Sequence, residues 1–264
     1  MFREQCKVLE NKKIAPGHYV LRFASSKISK NAAPGQFVQI MCSDSFEPLL
    51  PRPFSFLTVS AKDFSILYQT VGKGTNLLSQ ITKGKELWIL GPLGNGFSKK
   101  AAEESLVLVG GGVGIPPLYH LAQVFVKSKI KKDRIRVFLG ARDKSFLLCE
   151  NDFKKLGVCL DVATDDGSKG KKGYVTGVLE DFLKAQHYKK TRIFTCGPTP
   201  MLKTVSSIAN RFKVPCEVSV EVPMACGFGA CLGCAIKVEA GDSHRFAIAC
   251  CEGPVFEAKE ILWQ

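Results

Sequence analysis

The sequence lacks any apolar run long enough to span a membrane, and its first residues lack the apolar core of a signal peptide. It also has no internal repeat and no low-complexity tract. We therefore expect no membrane partner and a cytoplasmic location. What is present is a chain of 264 residues, 45% hydrophobic and 23% charged, which is typical of a globular protein. This length allows one large domain, or two ordinary domains with an appendix.

A concentrated basic surface is also missing, although the formal net charge is +13. The lysines are spread along the chain and are not interleaved with aromatic residues. A nucleic-acid surface would gather its charge on one face, so we expect no nucleic-acid partner. The positive charge is better explained by solvated faces, with some attraction for anionic cofactors or an acidic partner.

Cysteine, in contrast, is abundant. Eleven cysteines in a chain without secretory features favour metal or redox chemistry over disulfides. Cys226, Cys231 and Cys234 have the spacing C-x4-C-x2-C, and Cys250 follows sixteen residues later. This is the plant-type pattern that holds a [2Fe–2S] cluster by four thiolates. Cys250 and Cys251 are adjacent, so the spacing alone does not choose the fourth ligand.

The loop between these cysteines is rich in glycine, at positions 227, 229 and 233. Such a loop can adopt positive φ angles and bring its amides close to the cluster sulfurs. The alternatives are a set of reduced structural cysteines or a zinc site, but zinc sites usually space both of their pairs as C-x2–4-C. Six other cysteines lie in or beside apolar runs and are expected to be small buried hydrophobes. They are Cys6, Cys42, Cys149, Cys159, Cys216 and Cys251.

Residues 1 to about 98 have the pattern of a β-domain. Short apolar runs are separated by proline- and glycine-containing turns, which predicts a closed barrel or a sandwich. The predicted strands include Tyr19–Phe23, Phe37–Met41, Phe64–Tyr68 and Leu87–Leu90.

Two elements of this region are suited to binding phosphate. Arg52 lies between two prolines, whose rigid backbone can aim the guanidinium, and Phe54 and Ser55 follow it with a flat ring and a hydroxyl. About twenty residues later, Gly72–Thr75 opens a helix predicted over Asn76–Ile81, with Thr75 near the N-cap. Together the two elements suggest a pyrophosphate and hence FAD. An edge strand containing prolines would have the same pattern.

From Ser105 onward the pattern alternates between strands and helices. A buried strand at Leu106–Val109 leads into the loop Gly110–Pro117 and a helix at Leu118–Val126. The loop departs from G-x-G-x-x-G because Pro117 stands where the third glycine belongs. It still predicts a strand–turn–helix that faces phosphate, and the alternative is an ordinary glycine-rich loop.

The remaining alternation predicts a doubly wound parallel sheet, with ligands beyond the carboxyl ends of its strands. Such ends precede the loops Asp165–Ser168 and Cys196–Met201. Cys196 is either a packed thiol or a neighbour of the nicotinamide, and Asp165 and Asp166 are either functional or a turn. The further predicted strands and helices are Ile135–Leu139, Lys144–Leu156, Val158–Ala163, Thr176–Ala185, Arg192–Thr195 and Val218–Val222.

These motifs, in this order, resemble a known family. Arg52–Ser55 with Gly72–Thr75 resembles the flavin signature of ferredoxin–NADP reductase-like proteins, and Gly110–Pro117 with Cys196–Pro198 resembles their pyridine-nucleotide domain. The segment Met224–Cys234 makes the chain similar to the electron-transfer subunits of NAD-linked (type B) dihydroorotate dehydrogenase. Thr164–Ser168 and Cys250–Phe256 add to this likeness.

The resemblance implies an FAD-binding antiparallel β-barrel over residues 1–98. It also implies a doubly wound parallel NAD-binding domain over 99–222 and a small C-terminal [2Fe–2S] domain over 223–264. The family places the fourth cluster ligand three residues before a Gly-Pro pair, which favours Cys250. One departure is Glu221-Val222-Pro223 before the cluster loop, where a second acid and an arginine are expected. The implied FAD and NAD contacts are Arg52, Pro53, Phe54, Ser55, Leu67, Tyr68, Gln69, Gly74, Thr75, Gly111, Gly112, Gly114, Cys196 and Gly197.

The function implied by the resemblance is an electron relay in pyrimidine biosynthesis. A separate FMN-bearing catalytic subunit oxidises dihydroorotate, and electrons pass through the cluster and FAD to NAD⁺ in an assembly with two copies of each subunit. No residue of this chain is expected to be an acid–base catalyst, and the sequence does not decide between NAD and NADP. One alternative is a flavin and iron–sulfur subunit of an NADH-dependent ferredoxin–NADP or sulfide reductase complex. Another is a non-enzymatic iron–sulfur protein.

Overall fold

The structure, a computed structural model, describes residues 1–98, 105–185 and 190–263. Residues 1–98 form a closed antiparallel barrel with the strand order β1-β2-β5-β4-β3-β6, which confirms the barrel predicted from sequence. The proposed domain boundary after residue 98 lies at the edge of the undescribed residues 99–104. The strands are β1 (Phe2–Ala15), β2 (His18–Ala24), β3 (Phe37–Ile40), β4 (Arg52–Val59), β5 (Asp63–Gln69) and β6 (Glu86–Leu93).

Strand β3 is buried on both faces, because it separates the barrel interior from the rest of the molecule. Val38 and Ile40 belong to the barrel core, whereas Phe37 packs into a second core that runs into the C-terminal part of the chain. Side chains alternate along a strand, so Gln39 belongs to the outer face together with Phe37. All four residues are buried.

Two short helices complete the barrel, α1 (Ser26–Asn31) and α2 (Lys73–Gln80). Helix α2 begins three residues before the predicted start, and Gly72 is its N-cap. Thr75 lies near the N-cap, as expected from sequence. Thr75 is the third residue of the helix, and its hydroxyl accepts hydrogen bonds from the backbone N–H groups of Val71 (2.9 Å) and Gly72 (3.2 Å). A side chain can thus satisfy amides that a helix leaves free at its start.

The second sheet has the order β10-β9-β8-β7-β11-β12-β15. Its first six strands are parallel, which confirms the doubly wound arrangement. These strands are β7 (Ser105–Gly111), β8 (Ile135–Ala141), β9 (Cys159–Thr164), β10 (Lys171–Lys172), β11 (Thr191–Cys196) and β12 (Cys216–Ser219). The helices are α3 (Ile115–Lys127), α4 (Glu150–Leu156), α5 (Val175–Ala185) and α6 (Thr199–Arg211).

Two predicted elements of this region are shorter in the structure. The helix expected over Lys144–Leu156 is a 3-10 turn followed by α4, because Cys149 between them has a left-handed backbone with φ 59°. The strand expected over Val218–Val222 ends at Ser219, and the next residues turn towards the barrel. That early end places Val220, Glu221 and Val222 in the wall of a cavity described below.

The C-terminal residues form a hairpin of β13 (Ala235–Ala240) and β14 (Ser243–Ile248), then β15 (Val255–Glu257). Strand β15 pairs antiparallel with β12, so the C-terminal segment adds an edge strand to the parallel sheet. The core that contains Phe37 continues through this segment to Cys250 and Phe256. Among the residues described, no helix is both long enough and apolar enough to cross a membrane.

Candidate functional site

A first cavity of about 310 Å³ lies where the barrel, the parallel sheet and the C-terminal segment meet. Its volume is at the lower end of that of small-molecule sites. Residues that are far apart in sequence line it together, including Val113 after β7, Ser219 after β12 and Pro254 before β15. Nine of the predicted cofactor contacts also line it: Arg52, Pro53, Phe54, Ser55, Leu67, Tyr68, Gln69, Thr75 and Cys196.

One end of this cavity is suited to an anion. Arg52 begins β4, and its Nη1 donates to the carbonyl oxygens of Leu50 (2.7 Å) and Pro51 (3.2 Å), which fix the guanidinium. The first turn of α2 lies against the same group, since a Cβ at Gly74 would be 3.4 Å from Arg52 Nε and 3.2 Å from Cys42 Sγ. A fixed guanidinium beside the N-terminus of a helix forms a site for phosphate oxygens.

The middle of the cavity has an aromatic wall. Phe54 and Tyr68 meet edge to face with ring centroids 5.8 Å apart, and Tyr19 stacks on Tyr68 at 5.6 Å. The Tyr68 hydroxyl donates to Asn11 Oδ1 (3.3 Å), and burial raises the pKa of Tyr68 well above its usual value. Tyr68 therefore stays neutral, and the wall offers flat apolar surface to a planar ring.

The sheet side of the cavity carries a thiol and a carboxyl group. Cys196 ends β11 and is 3% exposed, and both burial and the nearby Glu221 raise the pKa of its thiol. It therefore stays protonated. Cys196 is thus a buried thiol that also lines the cavity. Sequence analysis did not assign Glu221 a site role, and its burial raises the pKa of its own carboxyl group.

A second cavity of about 620 Å³ lies at the carboxyl ends of the parallel strands. The predicted residues Gly111 and Gly112 line it, with Asp165 after β9. Sequence analysis missed Arg142 and Phe146, whose guanidinium and ring lie 4.5 Å apart in a cation–π contact. Little in the sequence indicated these two residues, because the only relevant feature is that Gly140-Ala141-Arg142 follows a predicted strand. Arg142 is a candidate for the phosphates of a dinucleotide.

Gly114 and Gly197 were predicted as cofactor contacts, but they line neither cavity. Their backbones pack directly on each other. A Cβ at Gly114 would lie 2.4 Å from the Gly197 nitrogen, and one at Gly197 would lie 3.2 Å from the Gly111 carbonyl oxygen. The two glycines thus bring together the loops after β7 and β11, whose neighbours Val113 and Cys196 line the first cavity.

In the C-terminal segment the cysteines form two close pairs. Burial raises the pKa of Cys226, but hydrogen bonds from the backbone N–H groups of Phe228, Cys231 and Ala230 and from the Cys231 thiol outweigh it and lower the pKa to about 6. Low-pKa thiols are ready to become thiolate ligands. This pair lies at the surface end of the loop, where Cys231 is exposed.

The second pair joins the loop to the turn after β14. The Cys250 N–H donates to Cys234 Sγ (3.4 Å), and the Gly229 N–H donates to Cys250 Sγ (3.1 Å). Cys234 and Cys250 are both buried, whereas Cys251 is exposed, so the expectation that Cys251 is a buried hydrophobe was wrong. Glu252 fixes the turn, because its carboxylate accepts from the Ile248 N–H (2.8 Å).

The arrangement fits a two-iron cluster better than a single metal ion. Within the described residues, no three metal-ligating side chains converge as a site for one ion. A [2Fe–2S] cluster instead needs two thiolates for each iron. The loop and the turn after β14 place Cys231 beside Cys226 and Cys250 beside Cys234, and Cys251 Sγ lies 3.7 Å from Cys250 Sγ. The backbone also follows the prediction, since Gly227 and Gly229 have φ angles of 80° and 88°.

Comparisons with known proteins agree with this geometry. Residues 221–262 match the family model described as the iron–sulfur cluster binding domain of dihydroorotate dehydrogenase B. Residues 108–207 match the oxidoreductase NAD-binding domain. Fold and domains together define an iron–sulfur reductase with a barrel for flavin and a sheet domain for NAD.

The chain belongs to the family of electron transfer subunits of dihydroorotate dehydrogenase B (NAD(+)). The relative from Desulforamulus reducens is 38% identical over 98% of this chain and 97% of its own length. The relative from Caldanaerobacter subterraneus subsp. tengcongensis is 39% identical over 99% of both chains. The family and the oxidoreductase class predicted from sequence are thereby confirmed.

Solved structures with a similar fold include two oxidoreductases. The NADH-dependent reduced ferredoxin-NADP oxidoreductase, studied for flavin-based electron bifurcation, has a TM-score of 0.86 and 32% identity, covering 98% of this chain and 90% of that chain. The ferredoxin NADP+ reductase from Neisseria gonorrhoeae, with bound FAD and NADP, has a TM-score of 0.68 and covers 80% of this chain and 91% of that chain. At 17% identity this second likeness shows the fold alone. The predicted cofactors FAD, iron–sulfur cluster and NAD agree with the matched domains and this fold.

Proposed function

We propose that this protein carries electrons from an FMN-bearing dihydroorotate dehydrogenase subunit to NAD⁺ in pyrimidine biosynthesis. The observation that supports this most is the make-up of the first cavity. Cys196 and Val113 approach it from the sheet domain, while Met224 and Pro254 approach it from the two sides of the cluster loop. A flavin held there would be next to both the nicotinamide site and the cluster.

The chain's own residues bind and orient the cofactors in this proposal. Arg52 and the first turn of α2 hold the FAD pyrophosphate, and the Phe54–Tyr68 wall holds the flavin ring. Gly111 and Gly112 admit NAD to the second cavity, where Arg142 meets its phosphates. When bound, the cluster carries single electrons and FAD exchanges them for the hydride of NAD(H).

The four cluster ligands in this proposal are Cys226, Cys231, Cys234 and Cys250. Burial supports Cys250 over its neighbour, since Cys250 is 2% exposed and already receives the Gly229 N–H. The domain limits proposed from sequence, 1–98, 99–222 and 223–264, are kept. The cluster domain, however, shares its last strand with the parallel sheet.

The partner is proposed to dock near the cluster loop. Phe228 and Leu232 lie between the ligands and are 48% and 61% exposed, which leaves apolar surface beside the cluster. We propose an assembly with two copies of each subunit. A cytoplasmic location fits the eleven free cysteines, since disulfides are rare in a reducing compartment.

A reductase of the ferredoxin–NADP type is the second candidate. It is favoured by the likeness to the NADH-dependent reduced ferredoxin-NADP oxidoreductase over nearly the whole chain. The match of residues 221–262 to the dihydroorotate dehydrogenase B cluster domain favours the first candidate.

A steady-state assay of three preparations tests the proposal. The isolated protein should oxidise NADH with an artificial acceptor but should not oxidise dihydroorotate, because a substrate site would need its own cation and base. In the first cavity, Arg52 is already committed to phosphate. Adding the FMN-bearing subunit should give dihydroorotate-dependent NAD⁺ reduction, and a Cys234→Ser variant should lose this coupled reaction while keeping NADH–dye activity. Dihydroorotate oxidation by the isolated chain, or coupled turnover without the cluster, would refute the relay.

A further inference from the structure

Gln39 is a buried polar side chain with an unusual environment. It is 1% exposed, and neither its Nε2 nor its Oε1 has a hydrogen-bond partner among the residues that the structure describes. Buried carboxamides are nearly always paired, because leaving their donors and acceptors unsatisfied is costly. An orphaned amide in a closely packed region therefore indicates a partner that is not part of the protein chain.

The position of Gln39 shows where that partner lies. Its side chain is on the outer face of the barrel wall, where it meets the first glycine of the cluster loop. A Cβ at Gly227 would lie 2.5 Å from Gln39 Cγ and 2.7 Å from its Nε2, so the amide rests against the loop backbone. Gly227 directly follows Cys226, one of the proposed cluster ligands. Gln39 is not among the residues that line the flavin cavity.

We propose that the Gln39 carboxamide donates a hydrogen bond from Nε2 to a sulfide sulfur of the iron–sulfur cluster. This inference rests on the cluster site proposed above. A carboxamide has two N–H donors, and sulfur atoms bearing negative charge are the acceptors that a cluster would bring next to Gly227. Because Gly227 has no Cβ, the amide can approach the loop backbone this closely.

The role assigned to Gln39 is to tune the cluster. Hydrogen bonds to cluster sulfurs stabilise the reduced state more than the oxidised state, because reduction adds negative charge to the sulfurs. Removing the donor should therefore make the midpoint potential more negative. Since Gln39 is on the barrel wall, the flavin domain itself would help to set the midpoint potential of the cluster that supplies its flavin with electrons.

The test compares Gln39→Leu with a matched control, Ser29→Ala, in the full chain with its cluster. Ser29 is 3% exposed and its Oγ also lacks a hydrogen-bond partner in the described part of the chain, but it is in α1, which packs on β5 and β6 of the barrel. Iron is quantified, and the midpoint potential is measured by redox titration with electron paramagnetic resonance detection. Gln39→Met serves as a second variant if Gln39→Leu does not fold.

We expect Gln39→Leu to retain iron and to shift the reduction equilibrium roughly tenfold towards the oxidised cluster, about 59 mV for one electron. Ser29→Ala should titrate like the wild type. Loaded Gln39 variants with a wild-type potential would overturn the role of Gln39 and would mean that a buried water satisfies the amide. Absence of iron from the wild-type protein would instead overturn the cluster assignment, and this inference with it.

A second readout uses the stability of the chain with and without its cluster. Replacing an orphaned carboxamide by an apolar side chain should stabilise the cluster-free protein, since an unsatisfied buried group is removed. In the loaded protein the same substitution removes a hydrogen bond, so the gain should disappear. Ser29→Ala should change both forms equally. Equal stabilisation of both forms by Gln39→Leu would contradict the proposal.

Discussion

Gly114→Ala is expected to push apart the loops that follow β7 and β11. Gly114 precedes α3, and its Cα faces the backbone of the loop after β11. An added Cβ would lie 2.4 Å from the Gly197 nitrogen and 2.5 Å from the Cys196 carbonyl carbon. Ordinary carbon contacts are about 3.5 Å, so the loops must move apart by roughly 1 Å. Both neighbours are backbone atoms, and no side-chain rotation can relieve the clash.

The expected cost has a stability part and a catalytic part. Overpacking of this kind destabilises by about 1–3 kcal/mol. A displacement of about 1 Å between reacting groups can reduce the rate by about 100-fold, so NADH–dye turnover should fall on that order. Because Cys196 and Val113 line the first cavity, which is the proposed flavin site, the loss should appear in kcat as well as in KM for NADH.

The assay combines urea unfolding with steady-state NADH oxidation, and Gly177→Ala is the matched control. Gly177 is in α5, and a Cβ there would meet nothing within 4 Å. The control should be more stable by about 0.5–1 kcal/mol, because alanine loses less conformational freedom in a helix, and its turnover should be unchanged. Wild-type stability together with wild-type turnover in Gly114→Ala would refute the argument that these loops touch.

Two further predictions concern the cofactors themselves. Cys250→Ser should lose the iron while Cys251→Ser keeps it, since Cys250 is buried and contacts Cys234 whereas Cys251 is exposed. The iron content of the two variants tests this prediction. Loss of iron from Cys251→Ser alone would overturn the ligand choice. Arg52→Ala should weaken FAD retention roughly tenfold or more, because a charge-assisted hydrogen bond contributes about 1.5–3 kcal/mol. Undiminished FAD content after dialysis would show that Arg52 does not hold the pyrophosphate.

Features that are local in sequence could be predicted well. The proposed cluster ligands, apart from the last, are within nine residues, so their spacing alone was enough to propose the coordination pattern. The β-domain was evident because turns with proline and glycine separate its strands, although this pattern left a barrel and a sandwich open and only the family resemblance implied the barrel. The phosphate elements at Arg52 and Gly74 were also local, and the structure brings them together at one end of a cavity.

Contacts between distant segments could not be predicted in this way. Glu221 lines the first cavity only because β12 ends early and the chain turns towards the barrel. Nothing in the short Val255–Glu257 run indicated that it would pair with β12. Gln39 lies in an ordinary apolar strand, and its relation to Gly227 depends on the packing of two domains. Each case requires a three-dimensional partner that no local pattern encodes.

The C-terminal segment is anchored to both of the other domains. The turn that carries Cys250 is tied to the barrel, since Asn95 Nδ2 donates to the carbonyl oxygens of Cys251 (3.1 Å) and Glu252 (2.9 Å). It is also tied to the sheet domain, where the Val220 N–H donates to the Pro254 carbonyl oxygen (2.9 Å). The turn that carries Cys250 is therefore fixed to both domains that enclose the first cavity. Electron transfer over a constant separation needs such double anchoring, because a tethered appendix would move relative to the flavin.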